Sequence, residues 1–356
     1  MKVLILGGTG AMGVHLVSLL AENLSTSIAV TSRTRSGHDG RVEYITGNAK
    51  DENFINELLS QHWDVVVDFM VYSTQEFKSK YEQFLQSTNQ YIYLSSSRVY
   101  ANSEQPLTES SPRLLDVCND QVYLATDEYA LTKARQENLL FDSIHKNWTI
   151  IRPYITYSSE RLQLGVLEKE DWLYRALQGR TIINSKDIQL KHTTLTSGRD
   201  VAQGIAAIIG KPSALGEAFH ITSGVSICWK EVSEIYLAVL ESHLKHCPKV
   251  LLQDLNEFMQ WRAGKYQITC DRLYDRYFDN HKINQYIDTS DFIKPQVGLA
   301  QCLERFIKSG NSDFKALNWK AEAIKDRIVH ERTSLLEIPS LKQKTKYCIF
   351  RYTKIS

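Results

Sequence analysis

Residues 2–13 read KVLILGGTGAMG, and this stretch decides the fold of the chain. Its first five residues form a short apolar run typical of a buried strand, and the apolar-rich residues 14–24 that follow are typical of a helix. Glycines between a strand and a helix permit positive φ, let the backbone approach a phosphate and let the helix pack closely on the strand. The stretch predicts a strand, a tight turn and a helix whose N-terminus binds a dinucleotide pyrophosphate. The residues predicted to bind the cofactor here are Gly7, Thr9, Gly10, Met12 and Gly13.

The end of the predicted second strand distinguishes between two nicotinamide cofactors. Residues 27–33 read SIAVTSR, whereas an enzyme that uses NAD(H) is expected to end this strand near an Asp or Glu that binds the ribose hydroxyls. This chain has Ser32 and Arg33 there, and Arg35 follows. Arginine offers a planar fork of N–H donors that suits a 2′-phosphate. We therefore predict NADP(H), bound through Ser32 and Arg33; NAD(H) is the alternative, and the arginines are then solvated loop charges.

Strand and helix patterns alternate from Met1 to about Pro153. The predicted strands in this region include residues 42–46, 64–69, 91–95 and 148–152. Such alternation predicts an α/β fold with a Rossmann-type, doubly wound parallel sheet. We assign residues 1–155 to a dinucleotide-binding domain whose sheet is completed by later segments. Residues 156–356 are assigned to a smaller, mixed α/β substrate lobe with a C-terminal extension.

Composition argues against several classes of protein. The 356 residues carry a formal net charge of +1 at pH 7, so no global charge favours nucleic acid or a membrane surface as a partner. No apolar run approaches the roughly 20 residues that span a bilayer. The six cysteines form no CxxC pair, which argues against a metal site or a disulfide framework. These features predict a protein of the reducing cytoplasm.

The C-terminal tail is basic. Its cations are Lys342, Lys344, Lys346, Arg351 and Lys354, and aromatic and aliphatic residues lie among them. We interpret this mixture as a terminal strand or docking segment rather than a nucleic-acid patch.

Tyr129 and Lys133 form a candidate proton-transfer pair. They lie four residues apart in the sequence YALTK, within a helical pattern that continues to Phe141, so both side chains project from one helix face. No other tyrosine in the chain has a lysine at this spacing. An ammonium about 5 Å from a phenolate favours the phenolate by roughly 3 kcal/mol at an effective dielectric constant near 20. The pair therefore predicts a tyrosine that acts as an acid near neutral pH.

A run of serines at the end of a central strand offers hydroxyls to a substrate oxygen. The run is Ser95, Ser96 and Ser97, and Ser96 is the preferred candidate. The alternative interpretation is that these serines only hydrogen-bond the local backbone.

Four motifs together resemble the extended short-chain dehydrogenase/reductase family, which includes NAD(P)-dependent nucleotide-sugar epimerases, dehydratases and reductases. The motifs are GGTGAMG from Gly7, SSSRVY from Ser95, YALTK from Tyr129 and RPY from Arg152, and the resemblance covers about residues 1–245. It implies that Ser96 polarises the substrate oxygen and that Tyr129 is the general acid or base. It also implies that Lys133 lowers the pKa of Tyr129 and binds the nicotinamide ribose.

The resemblance extends to two more parts of the cofactor site. Residues 47–51 resemble the adenine-side loop of the family, with Asn48 at a position where Asp is usual. After the predicted strand 64–69, Met70, Val71 and Tyr72 stand where the family usually has small alanines beside the cofactor. Asn48 and Met70 are therefore predicted to bind the cofactor.

Departures from the family pattern narrow the chemistry. Family dehydratases follow the active-site hydroxyl residue with an Asp-Glu pair, whereas this chain has Ser97 and Arg98, so dehydration lacks its acid and base. We predict that Ser97 and Arg98 bind substrate. Further substrate candidates are Tyr154, His192, whose segment resembles the substrate-lobe stretch of nucleotide-sugar enzymes, and Arg272, whose guanidinium suits a diphosphate. The alternatives are a structural histidine and a surface of alternating charges.

The leading hypothesis is an NADP(H)-dependent oxidoreductase that reduces a keto group of a nucleotide-linked, 4-keto-6-deoxy type sugar, with Tyr129 as the general acid. One alternative is an NAD(P)-dependent nucleotide-sugar epimerase. Another is a non-catalytic member of the family that binds cofactor or RNA, against which the intact Ser96, Tyr129 and Lys133 argue. The expected partner is the nucleotide-sugar substrate, with no nucleic acid or membrane partner, and a homodimer is considered.

Overall fold

The computed structural model describes residues 1–310, 314 and 317–353. The strands and helices up to residue 157 are β1 (Lys2–Leu6), α1 (Gly13–Ala21), β2 (Ser27–Ser32), β3 (Gly37–Asp39), β4 (Val42–Thr46), α2 (Glu52–Leu59), β5 (Trp63–Asp68), α3 (Thr74–Lys78), α4 (Tyr81–Gln86), β6 (Thr88–Leu94), α5 (Leu114–Val117), α6 (Gln121–Leu124), α7 (Tyr129–Asp142), β7 (Trp148–Pro153) and β8 (Ile155–Tyr157). The later ones are α8 (Lys169–Leu177), β9 (Ile182–Ser185), α9 (Lys186–Gln189), β10 (His192–Ser197), α10 (Gly198–Ile208), β11 (Glu217–Ile221), β12 (Ser226–Cys228), α11 (Trp229–Leu244), β13 (Val250–Gln253), α12 (Leu255–Trp261), α13 (Lys265–Gln267), α14 (Pro295–Lys308), α15 (Trp319–Ile328) and α16 (Leu341–Tyr352).

A largely parallel eight-stranded sheet has the strand order β11-β7-β6-β5-β1-β2-β4-β3. Only β3 runs antiparallel to its neighbour. Strand β1 lies between β2 and β5, so the chain first builds outward on one side and then crosses to the other. In such sheets the ligand crevice lies at this reversal, beyond the C-terminal ends of the strands. The predicted Rossmann-type, doubly wound fold is confirmed.

The first strand shows why both faces of this sheet are covered. Val3 and Ile5 point to one face, into a core built with α1 and α10, whereas Leu4 and Leu6 point to the other, into a core built with α2, α4 and α7. Alternate residues of a strand face opposite sides, so a strand that is apolar throughout must be buried on both. The strands predicted for residues 42–46, 64–69, 91–95 and 148–152 correspond to β4, β5, β6 and β7.

The chain divides into two compact units. The first comprises residues 1–156, 194–226 and 276–294, and the second comprises residues 157–193, 227–275 and 295–356. The predicted division at residue 155 lies close to the first crossing. Residues 194–226 and 276–294 belong to the first unit. Among them, β11 pairs with β7, so it is one of the later segments expected to complete the sheet, and α10 packs on the β1 face.

The second unit has its own core, to which the C-terminal segment contributes. Helix α16 buries Tyr347 beside Trp319 of α15, and the Tyr347 hydroxyl donates to Asp326 (2.6 Å). Of the two interpretations of the tail, the terminal strand is wrong, because residues 341–352 form a helix, whereas a docking segment agrees with the burial of Tyr347 in this core. Lys354 lies outside the described residues. Over the part of the chain that the structure describes, no helix has the length and apolarity of a membrane span.

Candidate active site

The glycine turn joins β1 to α1 at the reversal of the sheet. Gly7 adopts a φ of +70°, and its N–H donates to the Thr31 hydroxyl (3.0 Å). A Cβ on Gly13 would lie 2.6 Å from the backbone of Gly8, so only glycine allows this helix start to pack so closely. A Cβ on Gly10 would meet nothing within 4 Å. The turn is thus tight at Gly7 and Gly13 and open at Gly10, as a phosphate at the N-terminus of α1 requires.

The other two residues predicted at the turn have different surroundings. Thr9 is exposed beside Gly10, which leaves its hydroxyl accessible. Met12 is partly buried, and its sulfur accepts a hydrogen bond from Thr156 (3.8 Å). Binding of the cofactor by these residues stays a prediction.

The end of β2 holds Arg35 more firmly than Arg33. The Ser32 hydroxyl accepts the N–H of Arg35 (3.1 Å), and the Arg35 guanidinium lies 3.9 Å from the centre of the Tyr44 ring and 3.5 Å from the Asp39 carboxylate. Both arginines are exposed, but no such contact is found for Arg33 among the described residues. A pocket of about 340 Å³ extends from the Arg35 side chain to the glycine turn, and its lining includes Gly8, Thr9, Val14, Arg35, Asp39 and Tyr44. The sequence places both arginines after β2, but only the β3–β4 hairpin shows which one is oriented.

Two further predicted cofactor segments follow the C-terminal ends of strands: residues 47–51 follow β4, and Met70 follows β5. Asn48 is exposed, and its side chain accepts the N–H of Lys50 (3.1 Å). A Cβ on Gly47 would lie 2.3 Å from the Phe54 ring, so any other residue there requires that ring to move. Met70 lies against the turn, since a Cβ on Gly7 would be 3.0 Å from its sulfur. The structure therefore brings Met70 and Gly7 together.

The three serines after β6 have three different surroundings. Ser95 donates to the buried Glu137 (2.6 Å), and Ser97 is fully buried and donates to the carbonyl oxygen of Arg152 (2.7 Å). The predicted substrate contact of Ser97 is therefore wrong, because its hydroxyl belongs to the sheet interior. Ser96 keeps 7% of its surface exposed and accepts the N–H of Arg98 (3.2 Å). Within the described residues the Ser96 hydroxyl donates to no protein acceptor, so it is the one suited to a substrate oxygen.

Helix α7 begins at Tyr129, as its sequence pattern predicts. Glu128 caps the helix by accepting the N–H of Ala130 (2.8 Å), and it also pairs with Arg98 (2.5 Å) and accepts the Tyr123 hydroxyl (3.1 Å). Tyr129 is 37% exposed, and the Arg98 guanidinium lies 5.4 Å from its ring centre. Arg98 thus lies beside the candidate acid, where it would face a substrate.

Lys133 lies one turn further along α7 and is buried. Its ammonium donates to the Leu94 carbonyl oxygen (2.6 Å) and to the Tyr93 hydroxyl (3.1 Å) on β6. Burial lowers the pKa of Lys133 to about 8, although the negative charges of Asp68 and Glu137 oppose that fall. Burial also raises the pKa of Asp68, at the end of β5, to about 6. Sequence reasoning missed Asp68 and Tyr93; the only available signal was a charged residue inside an otherwise apolar strand.

The remaining substrate candidates are Tyr154, His192 and Arg272. Tyr154, in the first unit, is buried with its ring 5.4 Å from that of Phe278. His192, in the second unit, is exposed, and its backbone N–H donates to the Asp275 carboxylate (2.7 Å).

Arg272 is buried in the second unit. Its side chain donates to the Gly165 carbonyl oxygen (3.0 Å) and pairs with Asp271. The alternative of a surface charge is therefore wrong for this side chain, and the contact of Arg272 with a diphosphate stays a prediction.

Comparison with known proteins identifies the class. The model of the NAD dependent epimerase/dehydratase family matches residues 3–221, more than half of the chain, and the chain belongs to this family. The predicted membership of the extended short-chain dehydrogenase/reductases is confirmed.

Among curated proteins, the chain is similar to the chloroplast stem-loop binding protein of 41 kDa b of Arabidopsis thaliana, with 26% identity over 238 residues. The match covers 62% of this chain and 58% of the length of that relative.

Solved structures share the fold. The UDP-glucuronic acid 4-epimerase of Bacillus cereus, in complex with UDP-glucuronic acid and NAD, has a TM-score of 0.64 at 17% identity, covering 87% of this chain and 100% of its own. The dTDP-glucose 4,6-dehydratase of Bacillus anthracis, in complex with NAD, has a TM-score of 0.66 at 15% identity, covering 89% and 100%. The epimerase Mth375 of Methanothermobacter thermautotrophicus has a TM-score of 0.66 at 16% identity, covering 87% and 92%.

Proposed function

We propose that this chain reduces a keto group of a nucleotide-linked sugar with NADP(H). The observation that carries the proposal is the arrangement on α7 and β6. Tyr129 is exposed at the start of the helix, Lys133 is buried one turn later against β6, and Ser96 follows the end of that same strand with a free hydroxyl proton. An acid, a cation that stabilises its conjugate base and a hydrogen-bond donor are the groups that carbonyl reduction needs.

In this proposal each residue has one task. A bound reduced nicotinamide supplies the hydride that adds to the carbonyl carbon. Ser96 donates a hydrogen bond to the carbonyl oxygen, and Tyr129 transfers its phenolic proton to that oxygen as the C=O bond becomes a C–O–H group. The positive charge of Lys133 stabilises the phenolate that remains on Tyr129. The open surface at Gly10 and the N-terminus of α1 would hold the pyrophosphate of the cofactor.

The preference for NADP(H) rests on the end of β2. No carboxylate occupies the position that would bind the ribose hydroxyls; Ser32 and Arg33 occur there, and Arg35 is held beside the pocket next to the glycine turn. A guanidinium so placed favours the 2′-phosphate of NADP(H). Two of the structural relatives named above, the UDP-glucuronic acid 4-epimerase and the dTDP-glucose 4,6-dehydratase, are complexes with NAD, so NAD(H) is the competing cofactor.

A nucleotide-linked 4-keto-6-deoxy sugar is the proposed substrate class. The support is the family, the nucleotide sugars named in the structural relatives and the absence of the acidic pair at positions 97 and 98. Arg98, beside Tyr129, would then contact the sugar. We further propose that the second unit, with His192, recognises the nucleotide-linked part of the substrate.

The test is direct. Purified protein is given NADPH or NADH with a panel of nucleotide-linked 4-keto-6-deoxy sugars, and loss of the reduced cofactor is followed while the product is identified. We expect consumption of NADPH with at least one sugar, and none in a Tyr129→Phe variant. No consumption with any sugar would contradict the proposal.

Epimerisation is the second candidate, because two of the solved structures above are epimerases. The same Tyr129 and Lys133 would then first remove a proton from a sugar hydroxyl and later return it. Tightly retained oxidised cofactor in the purified protein, and interconversion of two sugar epimers with no net change in the cofactor, would favour this reaction.

Binding of stem-loop RNA is a third candidate, suggested by the name of the Arabidopsis relative. Helix α16 contains no acidic residue, and Lys342 and Lys346 are exposed on it. Binding of a stem-loop RNA that weakens steeply with added salt, and that a Lys342→Glu, Lys346→Glu variant loses, would support it. The cytoplasmic location and the homodimer remain predictions, and light scattering would test the second.

A further inference from the structure

The ammonium of Lys133 has a fixed direction. Two of its N–H groups are engaged by neighbours on β6, the Leu94 carbonyl oxygen (2.6 Å) and the Tyr93 hydroxyl oxygen (3.1 Å). The Lys133 nitrogen also lies 4.6 Å from the centre of the Tyr93 ring. An ammonium has three donors, so these contacts leave one for a ligand or for Tyr129.

The Tyr93 hydroxyl is itself oriented by Gln136. The side-chain amide N–H groups of Gln136 donate to the carbonyl oxygens of Tyr72 (2.9 Å) and Ser73 (3.0 Å), so its amide oxygen must face the other way. Tyr93 donates its O–H to that oxygen. The lone pairs of the Tyr93 hydroxyl therefore face Lys133, and the direction of the ammonium is set by a chain of hydrogen bonds that begins at the backbone.

Asp68 is a buried carboxylate at the end of the neighbouring strand. It accepts hydrogen bonds from the Tyr91 hydroxyl (2.8 Å), from the Tyr72 hydroxyl (3.5 Å) and from the N–H of Met70 (2.9 Å). Among the described residues no cation lies within ion-pair distance of Asp68, and no carboxylate lies within that distance of Lys133. Asp68 is the register partner of Tyr93 on the adjacent parallel strand, so its side chain points to the same face of the sheet as Tyr93, the face on which α7 packs and where the Tyr93 hydroxyl accepts from Lys133.

Glu137 cannot take the place of Asp68. Its carboxylate is buried and already neutralised, because Arg152 binds it through two N–H groups (both 2.8 Å) and Arg113 approaches to 3.2 Å. The arginines offset much of the Glu137 charge, so Glu137 favours a protonated Lys133 less than Asp68 does, whose carboxylate has no cation within ion-pair distance among the described residues.

We propose that Tyr93 and Asp68 are positioning residues for Lys133: Tyr93, held by Gln136, aims the ammonium, and Asp68 keeps that ammonium charged. The proposal deepens the proposed function, since the ammonium is useful only if Lys133 assists Tyr129. It also gives Asp68 a second role, because its carboxylate holds the N–H of Met70, whose side chain lies against the glycine turn.

Asp68 and Lys133 lose their protons in a defined order as the pH rises. The groups that face this interior are Asp68 and Tyr72 from β5 and the segment after it, Tyr91 and Tyr93 from β6, and Tyr129 and Glu137, with its arginines, from α7. The pKa of Asp68 is raised to about 6 and that of Lys133 is lowered to about 8. Between about pH 6 and about pH 8 both groups are charged. Below about pH 6 Asp68 becomes neutral, and above about pH 8 Lys133 becomes neutral.

The test measures the protonation of Lys133 directly, without cofactor or substrate. Protein labelled with ¹³C at lysine Cε is titrated by NMR, and the Lys133 signal is assigned with a Lys133→Arg variant. In Asp68→Asn we expect the midpoint of the Lys133 titration to fall by roughly one pH unit or more. In the matched control Asp64→Asn, which removes a charge from the partly exposed start of the same strand, we expect the midpoint to stay within a few tenths of a unit. An unchanged midpoint in Asp68→Asn overturns the proposal.

The unmodified protein provides a measurement that does not depend on the folding of a variant. If Asp68 acts on Lys133, the Lys133 signal shows a second inflection where Asp68 titrates, near pH 6; a single inflection overturns the proposal. In Tyr93→Phe, we expect the midpoint to fall and the affinity for NADPH to drop about two- to ten-fold, because one acceptor is lost. A coupled titration in a protein that reduces no sugar would uphold this inference and reject the proposed function.

Discussion

Arg152 binds the carboxylate of Glu137 through two N–H groups, each 2.8 Å from an oxygen, in the interior of the first unit. The pair joins the end of β7 to the middle of α7, the helix that carries Tyr129 and Lys133. Ser95 donates to the same carboxylate from the end of β6 (2.6 Å). One buried ion pair thus ties together the elements that contribute Ser96, Tyr129 and Lys133.

Glu137→Gln should therefore destabilise the protein strongly. The variant leaves the buried Arg152 guanidinium without a counter-charge, and removal of one partner of a buried pair costs about 3–5 kcal/mol. The free energy of unfolding in urea measures the loss. Asp116→Asn is the matched control, because the Arg113–Asp116 pair (2.8 Å) is partly exposed and should contribute less than about 1 kcal/mol. Equal losses in the two variants would refute the structural role of Glu137.

Tyr129→Phe should bind cofactor normally and lose turnover. The phenolic proton is absent from the variant, and loss of a general acid lowers the rate by about 10²–10⁴-fold. Steady-state kinetics with the sugar identified by the panel, together with fluorescence titration of NADPH, separates the two effects. Tyr123→Phe is a control, because its hydroxyl contacts Glu128 (3.1 Å) and is not expected to transfer a proton. Near-normal turnover in Tyr129→Phe would exclude this tyrosine as the acid.

Arg35→Met should weaken the binding of NADPH more than the binding of NADH. A charge-assisted hydrogen bond to a phosphate contributes enough that its loss raises the dissociation constant for NADPH about ten-fold or more. The constant for NADH, which lacks the 2′-phosphate, should change by less than about two-fold. Arg33→Met is the companion variant. A larger loss of NADPH affinity in Arg33→Met than in Arg35→Met would show that Arg33, and not Arg35, determines the preference for NADP(H).

Two glycines of the turn should respond differently to alanine. Gly13→Ala places a methyl group 2.6 Å from the Gly8 backbone and should destabilise the fold by about 1–3 kcal/mol. Gly10→Ala meets no atom within 4 Å, so the protein should fold with an unchanged melting temperature and bind NADPH more weakly. Thermal unfolding and cofactor titration of both variants test this pair. Normal NADPH binding by a folded Gly10→Ala would show that the phosphate does not approach there.

Local patterns predicted the features that depend on neighbours in the sequence. The strand, turn and helix of residues 2–24 were predictable because glycine spacing and apolar runs act over a few residues. Tyr129 and Lys133 could be placed on one face of α7 because a helix brings residues four apart together. The strand interpretation of the tail was wrong because α16 is stabilised by burying Tyr347 in the core of the second unit, and no local pattern shows that contact.

Local motifs were enough to predict the doubly wound sheet, the glycine turn and the candidates Ser96, Tyr129 and Lys133. Packing between distant elements places the Ser97 hydroxyl in the interior, holds Arg35 against Tyr44 and buries Asp68 beside Tyr93, and none of these contacts could be predicted from neighbours in the sequence. Asp68 and Lys133 lie 65 residues apart in sequence and on different elements. Their charges act on each other because folding removes both from water, and desolvation of that kind depends on every element packed around them.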